Sequence, residues 1–568
     1  MNFLPTTKDE LIKLKIDRPD IIIVTGDTYI DSPFIGAAVI GRYLQSKGFT
    51  VAIIAQPDIS GPDDIMRLGE PGLFWGVTGG SIDSMVANYT PLKKKRRSDD
   101  LTPGGINDKR PDRAVIAYSN LIRRYFKNTR PIVLGGIEAS LRRVTHYDFW
   151  SDSLRRSVLF DAKADLLVYG MGEAAIIDIA RRIKENREDY IYARGVCYIS
   201  KASPAGYIEL PSHEECAADK FKFIDMFNVF YKNNDPLTAK GLCQKSGDRY
   251  LIHNPPAPAL TSVELDEIYG LEYCRGQHPY YQSKGAVTAR DTIDFSITTH
   301  RGCYGECNFC AIAVHQGRTV ISRGAESIVV EAEKISKMDN FKGYITDVGG
   351  ATANMYCIEC EKKIKSGACK DKRCLFPKAC VGLNIDHQKQ ISLLRRLGKI
   401  KGVKKVFVAS GIRYDMVLSD KKSGREYIDE IACHHVSGQL KLAPEHTSGA
   451  VLKLMGKPGA SSLVEFKRLF DDASKKAGKA QFLTYYLIAA HPGCADEDML
   501  EMKKFINREL KINPEQVQIF TPTPSTYSAL MYYTGINPFT KEALSVEKRD
   551  GAKLRQKKII NGENYERR

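Results

Sequence analysis

The stretch FSITTHRGCYGECNFC, residues 295–310, joins a strand-like apolar run to three closely spaced cysteines, Cys303, Cys307 and Cys310. Their spacing is C-x3-C-x2-C, and Phe309 stands directly before the last cysteine. Four thiolates close a zinc site or saturate an iron–sulfur cluster. Three thiolates leave one metal position open, which indicates a centre that binds a substrate or cofactor. The alternatives are a structural zinc site with a distant ligand, or three unrelated thiols.

The sequence that follows this stretch predicts a repeating strand–helix fold. Strand-like runs begin near residues 295, 343, 404, 437, 481 and 515, and helical patterns separate them. Six such units with right-handed crossovers predict a partial (βα)6 TIM-like barrel. Active sites of these barrels lie in the loops after the strands. The three cysteines occupy the loop after the first predicted strand.

The first 200 residues also alternate short apolar runs with helical patterns. The runs are DIIIVTGD (20–27), VAIIAQP (51–57), PIVLGGIEAS (131–140) and ADLLVYGMGE (164–173). Buried strands that alternate with helices predict a parallel, doubly wound, Rossmann-like sheet in an α/β protein. Its ligand crevice would lie at the carboxyl ends of the strands, where the glycine-rich loops occur.

Four segments are predicted along the chain. The Rossmann-like domain spans residues 1–200, and a bridging segment follows at 201–290, where HNPPAPAL cannot lie within a helix or a central strand. The barrel spans residues 291–530 and carries a cysteine-rich insertion at 355–382. Residues 531–568 form a C-terminal extension that ends in a frayed basic tail.

Composition narrows the function classes. No run approaches the roughly 20 apolar residues of a membrane helix, and the polar N-terminal segment predicts a cytoplasmic, reducing location. In that setting the 14 cysteines are expected to be metal ligands or free thiols rather than disulfides. The net charge of +16 favours a solvated basic surface over a nucleic-acid site, because aromatic residues do not interleave with the basic ones.

Long segments of the chain resemble the YgiQ-type family of the radical S-adenosylmethionine (SAM) superfamily. They include VTGDTYIDSPFIGAAVIGRYLQSKGF (24–49), HRGCYGECNFCAIAVHQGR (300–318), KLAPEH (441–446) and FTPTPSTYSALMYYTG (520–535). The resemblance implies that Cys303, Cys307 and Cys310 bind a [4Fe-4S] cluster whose open iron chelates SAM. It further implies reductive cleavage to a 5′-deoxyadenosyl radical, which abstracts hydrogen from an unidentified substrate. A flavodoxin or ferredoxin would supply the electron.

The resemblance also implies residues that contact SAM. VGGATAN (348–354) resembles the glycine-rich motif that binds the methionyl amino group, although the usual acid after the two glycines is absent. ASGIRYD (409–415) and LAPEH (442–446) end the third and fourth strands, and ion pairs at the barrel rim are the alternative role for their charged residues. The implied cofactor-binding residues are Phe309, Gly349, Gly350, Ala351, Thr352, Ser410, Arg413 and Glu445. Catalytic residues are not assigned.

The first domain resembles the cobalamin-binding modules that precede many radical SAM barrels. These modules often carry D-x-H-x-x-G, and here DSPFIG (31–36) places Pro33 where the cobalt-ligating histidine would stand. A cobalamin without a lower protein ligand and a vestigial module that docks substrate are the two alternatives, and the second is preferred. The alternative functions are a cobalamin-assisted methyl transfer or an RNA methylthiolation, and a non-catalytic iron–sulfur or metal-binding protein.

A second group of cysteines lies within CIECEKKIKSGACKDKRCLFPKAC, residues 357–380. Its spacing resembles a four-cysteine arrangement of the YgiQ-type family, with Cys357 as an additional thiol. We expect an auxiliary iron–sulfur cluster or a structural zinc site, against the alternative of a loop of free thiols. The expected ligands are Cys360, Cys369, Cys374 and Cys380. Four histidines are candidates for either catalytic or structural roles: His434, His435, His446 and His491.

Overall fold

The computed structural model of the chain describes residues 2–514 and 517–561. Two compact units divide it, Met1–Asp294 and Phe295–Arg568. Both units mix helices and strands, and the first contains a large, mainly parallel sheet. No helix in the described part of the chain is long and apolar enough to cross a membrane.

Nine strands form the sheet of the first unit. They are β1 (Ile21–Thr25), β2 (Val51–Ala55), β3 (Phe74–Thr78), β4 (Ile132–Gly135), β5 (Leu166–Val168), β6 (Val196–Ser200), β7 (Ile208–Leu210), β8 (Leu242–Ser246) and β9 (Arg249–His253). The spatial order is β7-β8-β9-β6-β5-β4-β3-β1-β2. The segment from β5 to β2 is entirely parallel, whereas β6 and β9 pair antiparallel with their neighbours.

Apolar sequence runs account for the centre of this sheet. Every residue of β1 and β2 is buried, as expected of parallel strands covered on both faces. The flanking helices Gly36–Ser46 and Glu173–Lys184 contribute Ala38 and Ile179 to the same core as Ile21. The predicted strand runs of the first 200 residues are therefore present, and β3 is an additional strand that the prediction missed.

The predicted bridging segment at 201–290 is instead part of the first unit. β7, β8 and β9 all fall within it and extend the sheet at one edge. β8 and β9 form a hairpin across the turn Gly247–Asp248, with polar and charged residues on both sides of the turn. The sequence pattern did not indicate strands here because the hairpin is short and rich in polar side chains.

The second unit contains short parallel strands that pair in chain order. They are β10 (Ser296–Thr298), β11 (Tyr344–Ile345), β12 (Asp347–Gly349), β13 (Lys405–Val406), β14 (Gln439–Glu445), β15 (Phe482–Ala489) and β16 (Val517–Ile519). β10 pairs with β12, β11 with β13, and β14 with β15 and then β16. A parallel bridge between Ile412 and Leu442 continues the series. All six predicted runs thus contain strands, although Glu515 and Gln516 lie outside the described residues.

Helices lie between these strands and after the last of them. The longer ones are Ala325–Ser336, Gln388–Leu397, Ser461–Lys476, Asp496–Phe505, Tyr527–Thr534 and Asp550–Asn561. Burial alternates along β14 and β15, so one face of each strand packs into a core that contains Leu440, Phe466 and Leu487. The carboxyl ends of the parallel strands carry the cysteine loop and the glycine motif. The predicted frayed tail falls on residues 562–568, outside the described part.

Candidate functional site

The cysteine loop, residues 302–310, follows β10 and is fixed at several points. Gly302 has a φ of +88°, and a Cβ built there would lie 2.2 Å from the Thr319 carbonyl oxygen, so only glycine fits. Further along, the Asn308 amide donates to the Met455 carbonyl (2.9 Å), and the Ser528 amide donates to the Asn308 carbonyl (2.9 Å). Backbone hydrogen bonds with two distant segments and the close approach of Thr319 therefore set the path of the loop.

The thiols of this loop lie close together around Gly305. A Cβ built on Gly305 would lie 3.3 Å from Cys303 Sγ and 3.7 Å from Cys307 Sγ. The Gly305 amide donates to Cys303 Sγ (3.3 Å), and Arg413 Nη1 donates to Cys307 Sγ (3.6 Å). Thr352 Oγ1 lies 3.6 Å from Cys303 Sγ. These donors suit sulfur that carries negative charge, as a metal-bound thiolate does.

The pKa values of two thiols of this loop are raised. Burial raises the pKa of Cys310 to about 12, and the nearby Cys307 and Cys303 also raise it. Burial and Cys307 likewise raise the pKa of Cys303. A bound metal cation would instead lower these pKa values, because a coordinating thiol is deprotonated outright. Among residues 2–514 and 517–561, no three His, Cys, Asp or Glu side chains are arranged around a single metal ion. An iron–sulfur cluster does not require three ligands around one ion, since each thiolate binds a different iron.

The glycine motif at the end of β12 packs directly on the cysteine loop. A Cβ on Gly350 would lie 2.7 Å from His300 Nε2 and 2.8 Å from the His300 carbonyl oxygen. His300 Nε2 lies 3.0 Å from the Thr352 carbonyl oxygen, and burial lowers the pKa of this histidine to about 4. A neutral ring that donates from Nε2 therefore holds the chain of the motif. Ala351, by contrast, is exposed.

Asp347 anchors the loop after the third strand segment and was not identified from the sequence. Its Oδ1 accepts hydrogen bonds from the amides of Ala409 (2.7 Å) and Ser410 (3.0 Å), and its carboxylate also accepts one from the Ser410 hydroxyl. The predicted SAM contact Ser410 thus has a partner in the protein. Asp347 is an acid that stands shortly before the two glycines. The acid of the family motif follows the two glycines, so the motif did not predict a role for Asp347.

Arg413 is held in place by a buried polar network. It forms a bidentate pair with Asp415 (2.8 and 2.6 Å), and this pairing outweighs burial and raises the pKa of Arg413. The Arg413 backbone exchanges two hydrogen bonds with the Asn354 side chain (2.8 and 3.1 Å). Asn354 contacts His387 Nε2, and His387 Nδ1 lies 2.7 Å from Asp420 Oδ2. Long sequence separations hid this network from sequence reasoning.

The other predicted residues take less direct positions. Glu445 has a φ of +68°, and its carboxylate lies 3.8 Å from Lys457 Nζ. Burial raises the pKa of Glu445, and Lys457 opposes that shift. Phe309 packs against the apolar core of the second unit.

The four candidate histidines are buried or tied to local structure. His435 hydrogen-bonds the Val406 carbonyl (2.8 Å) and His491 the Ser528 hydroxyl (2.7 Å). His446 Nε2 lies 3.6 Å from Cys494 Sγ, and the rings of His434 and His435 are in contact. Burial lowers the pKa of His491 to about 3 and that of His446 to about 4.

Three of the cysteines in the insertion share one apolar cluster. Cys360, Cys374 and Cys380 pack there with Tyr304 of the cysteine loop. Cys357 packs against the main core of the unit instead. The Cys369 carbonyl accepts a hydrogen bond from Arg318 (3.0 Å).

In the first unit, the strand order reverses between β1 and β3, where a parallel sheet places its ligand crevice. The Gly26 amide donates to the Thr78 carbonyl (3.1 Å), and a Cβ on Gly26 would lie 2.2 Å from the Gly79 carbonyl oxygen. Asp27 is buried here and pairs with Arg110 (2.7 Å). Residues of the chain itself therefore occupy the space at the ends of β1 and β3.

Comparisons with known proteins show what this chain is similar to. The N-terminal family of radical SAM proteins matches residues 3–296. The UPF0313 protein FN0734 of Fusobacterium nucleatum subsp. nucleatum is 57% identical over 569 residues and covers 100% of both chains. A UPF0313 protein of Thermotoga petrophila is 48% identical over 548 residues, 96% of each chain.

A solved structure shares the fold at low sequence identity. It is the cobalamin-dependent SAM radical enzyme OxsB with aqua-cobalamin bound, at a TM-score of 0.50 and 14% identity. The match covers 92% of this chain and 56% of that one. With the family match and the full-length relatives, the chain is a radical SAM enzyme and belongs to the UPF0313, or YgiQ-type, family.

Proposed function

We propose that this enzyme cleaves SAM reductively at a [4Fe-4S] cluster held by Cys303, Cys307 and Cys310, and uses the resulting radical to abstract hydrogen from its substrate. The observation that carries the proposal is the convergence of the three-cysteine loop with a buried guanidinium. Arg413 Nη1 lies 3.6 Å from Cys307 Sγ. A guanidinium beside a thiolate offsets part of the negative charge of a cluster.

When bound, the cluster and SAM supply one-electron cleavage of the sulfonium and a 5′-deoxyadenosyl radical. The residues of the chain hold and shield that chemistry. Gly349 and Gly350 lie at the end of β12, where the methionyl amino group of SAM would bind. Glu445 and Ser410 stand at neighbouring strand ends. The buried Tyr414 and Met416 help to exclude water from the cysteine loop.

Electron paramagnetic resonance (EPR) tests the open iron position. Anaerobically reconstituted protein is reduced with dithionite, and its spectrum is recorded with and without SAM. We expect SAM to change the spectrum, because it chelates the iron that lacks a thiolate. An identical spectrum with and without SAM would favour the alternative class, a non-catalytic iron–sulfur protein.

The finer architecture belongs to the same proposal. The parallel series from β10 to β16 supports a partial (βα)6 barrel, and the order of β2, β1, β3, β4 and β5 is that of doubly wound, flavodoxin-like sheets. A cysteine loop after the first strand then lies on the catalytic face. A flavodoxin or ferredoxin is proposed as the electron donor, and a nucleic-acid substrate is not favoured.

A cobalamin-dependent methyl transfer is the second candidate, and the fold shared with the cobalamin-dependent OxsB favours the use of cobalamin. The similarity to OxsB gives no support to the prediction that the first domain is a vestigial module that docks substrate. The residues at the switch point do not fit a corrinoid, because Asp27 and Arg110 fill it and Pro33 replaces the ligating histidine. Absorbance of protein purified after growth with hydroxocobalamin decides between the two, since retained cobalamin would support methyl transfer.

We also propose a second thiolate site at Cys360, Cys369, Cys374 and Cys380. The support is that three of these cysteines share one apolar cluster, which limits the access of water to their thiols. Metal analysis of a variant without Cys303, Cys307 and Cys310 tests it. Retention of iron or zinc is expected, and loss of all metal would remove the second site from the account.

A further inference from the structure

One carboxylate links the cysteine loop to the cysteine-rich insertion. Glu306 lies between Cys303 and Cys307 in sequence, and its side chain is 0% exposed. Its Oε2 accepts a hydrogen bond from Arg318 Nε at 2.7 Å, and its Oε1 lies 3.3 Å from Lys363 Nζ. Two cations from different segments therefore share a single buried acid.

The insertion supplies most of the remaining contacts. Lys363 lies in its helix Glu361–Ser366 and also donates to the Arg318 carbonyl (2.6 Å). Arg373 donates to the Glu306 carbonyl (3.0 Å), and Arg318 donates to the Cys369 carbonyl (3.0 Å). Five polar contacts in all join the loop, the insertion and the chain that follows the loop.

The backbone at Glu306 fits the same arrangement. Glu306 has a φ of +46°, which is uncommon for a residue with a side chain and persists where surrounding contacts hold it. Tyr304, two positions earlier, packs among Cys360 and Cys374 of the insertion, and Lys363 Nζ lies 5.2 Å from the centre of its ring. The loop thus directs Tyr304 and Glu306 towards the insertion.

The cysteines on either side also contact another part of the unit. Cys303 and Cys307 contact Thr352 and Arg413, which follow the second and third strand segments. The loop is therefore held between the insertion and these strand ends.

We propose that Glu306 is a positioning residue: its pairs with Lys363 and Arg318 fix the cysteine loop on the insertion, so that the insertion sets the placement of the cluster ligands. The effect on cluster binding rests on the proposed function, whereas the effect on the loop does not. Partners that orient metal ligands typically contribute roughly 10–100-fold to metal affinity. Glu306 acts through the loop and does not itself bind the cluster.

Hydrogen–deuterium exchange of the cluster-free protein tests the effect on the loop. Glu306→Gln should speed exchange in residues 302–310 and 360–375. Glu331→Gln is the matched control, because Glu331 is similarly buried in the same unit and pairs with Arg323. Equal exchange of the loop in E306Q and wild type would overturn the inference. If E306Q does not fold, E306Q/K363M replaces it, since that pair of changes removes one negative and one positive charge.

Release of iron to a chelator tests the effect on the cluster. E306Q should release iron about tenfold faster than wild type or E331Q, and its EPR response to SAM should weaken. Equal release rates would overturn the role of Glu306 in cluster binding. If the wild type takes up no cluster, the proposed function fails, and the exchange result still decides whether Glu306 fixes the loop.

Discussion

Replacement of Gly350 by alanine tests the packing of the glycine motif on the cysteine loop. The added Cβ would lie 2.7 Å from His300 Nε2 and 2.8 Å from the His300 carbonyl oxygen. Favourable contacts between such atoms lie near 3.5–4.0 Å, so the overlap approaches 1 Å. Because His300 is buried and hydrogen-bonded to Thr352, it has little room to move. Overpacking of this kind costs about 2–3 kcal/mol.

Thermal unfolding measures this cost, and iron content measures its effect on the site. At about 2 °C per kcal/mol, G350A should lower Tm by roughly 4–6 °C. It should also reduce iron uptake, because His300 lies three residues before Cys303. Gly411→Ala is the matched control, since a Cβ there meets no atom within 4 Å. A G350A protein that melts and binds iron like wild type and G411A would refute the packing described.

Three further predictions follow from the second unit. Burial lowers the pKa of His446 to about 4 and of His491 to about 3. Below pH 6.5 the unfolded chain therefore binds protons at these positions that the folded chain does not, and the two groups together should lower stability by about 4 kcal/mol between pH 7 and pH 5. His300, whose pKa burial also lowers to about 4, adds to this loss. Denaturant titrations that give equal stability at both pH values would disprove this. Cys307→Ala should lose cluster iron while Cys433→Ala, at a half-buried free thiol, retains it in colorimetric iron assays. Asp420→Ala removes the carboxylate that His387 contacts and should cost roughly 3 kcal/mol in chemical denaturation, and an unchanged midpoint would contradict the network.

Local patterns predicted the strands and the cysteine loop well. Apolar runs such as Ile21–Thr25 could be predicted as buried parallel strands from their composition alone. The cysteine loop could be predicted because its three cysteines are separated by only a few residues. The hairpin Leu242–His253 escaped prediction because polar side chains mask its period. Glu306 and Lys363 are 57 residues apart, so their contact depends on the fold and leaves no local signal.

The glycine motif shows the same limit. Its sequence indicated a backbone that a ligand can approach, whereas the structure adds that Gly350 packs against His300. Similarly, Arg413 was predicted from its position at a strand end, but its pair with Asp415 and its contact with Cys307 required the three-dimensional arrangement. Residue types were predictable, and their partners were not.

Formation of 5′-deoxyadenosine shows whether the enzyme cleaves SAM reductively. Reconstituted protein is incubated anaerobically with dithionite and SAM, and the products are separated by liquid chromatography and identified by mass spectrometry. We expect 5′-deoxyadenosine from wild type and only background from Cys303→Ala. Equal amounts from both proteins, or none from a wild type that carries a full cluster, would contradict reductive cleavage of SAM at this site.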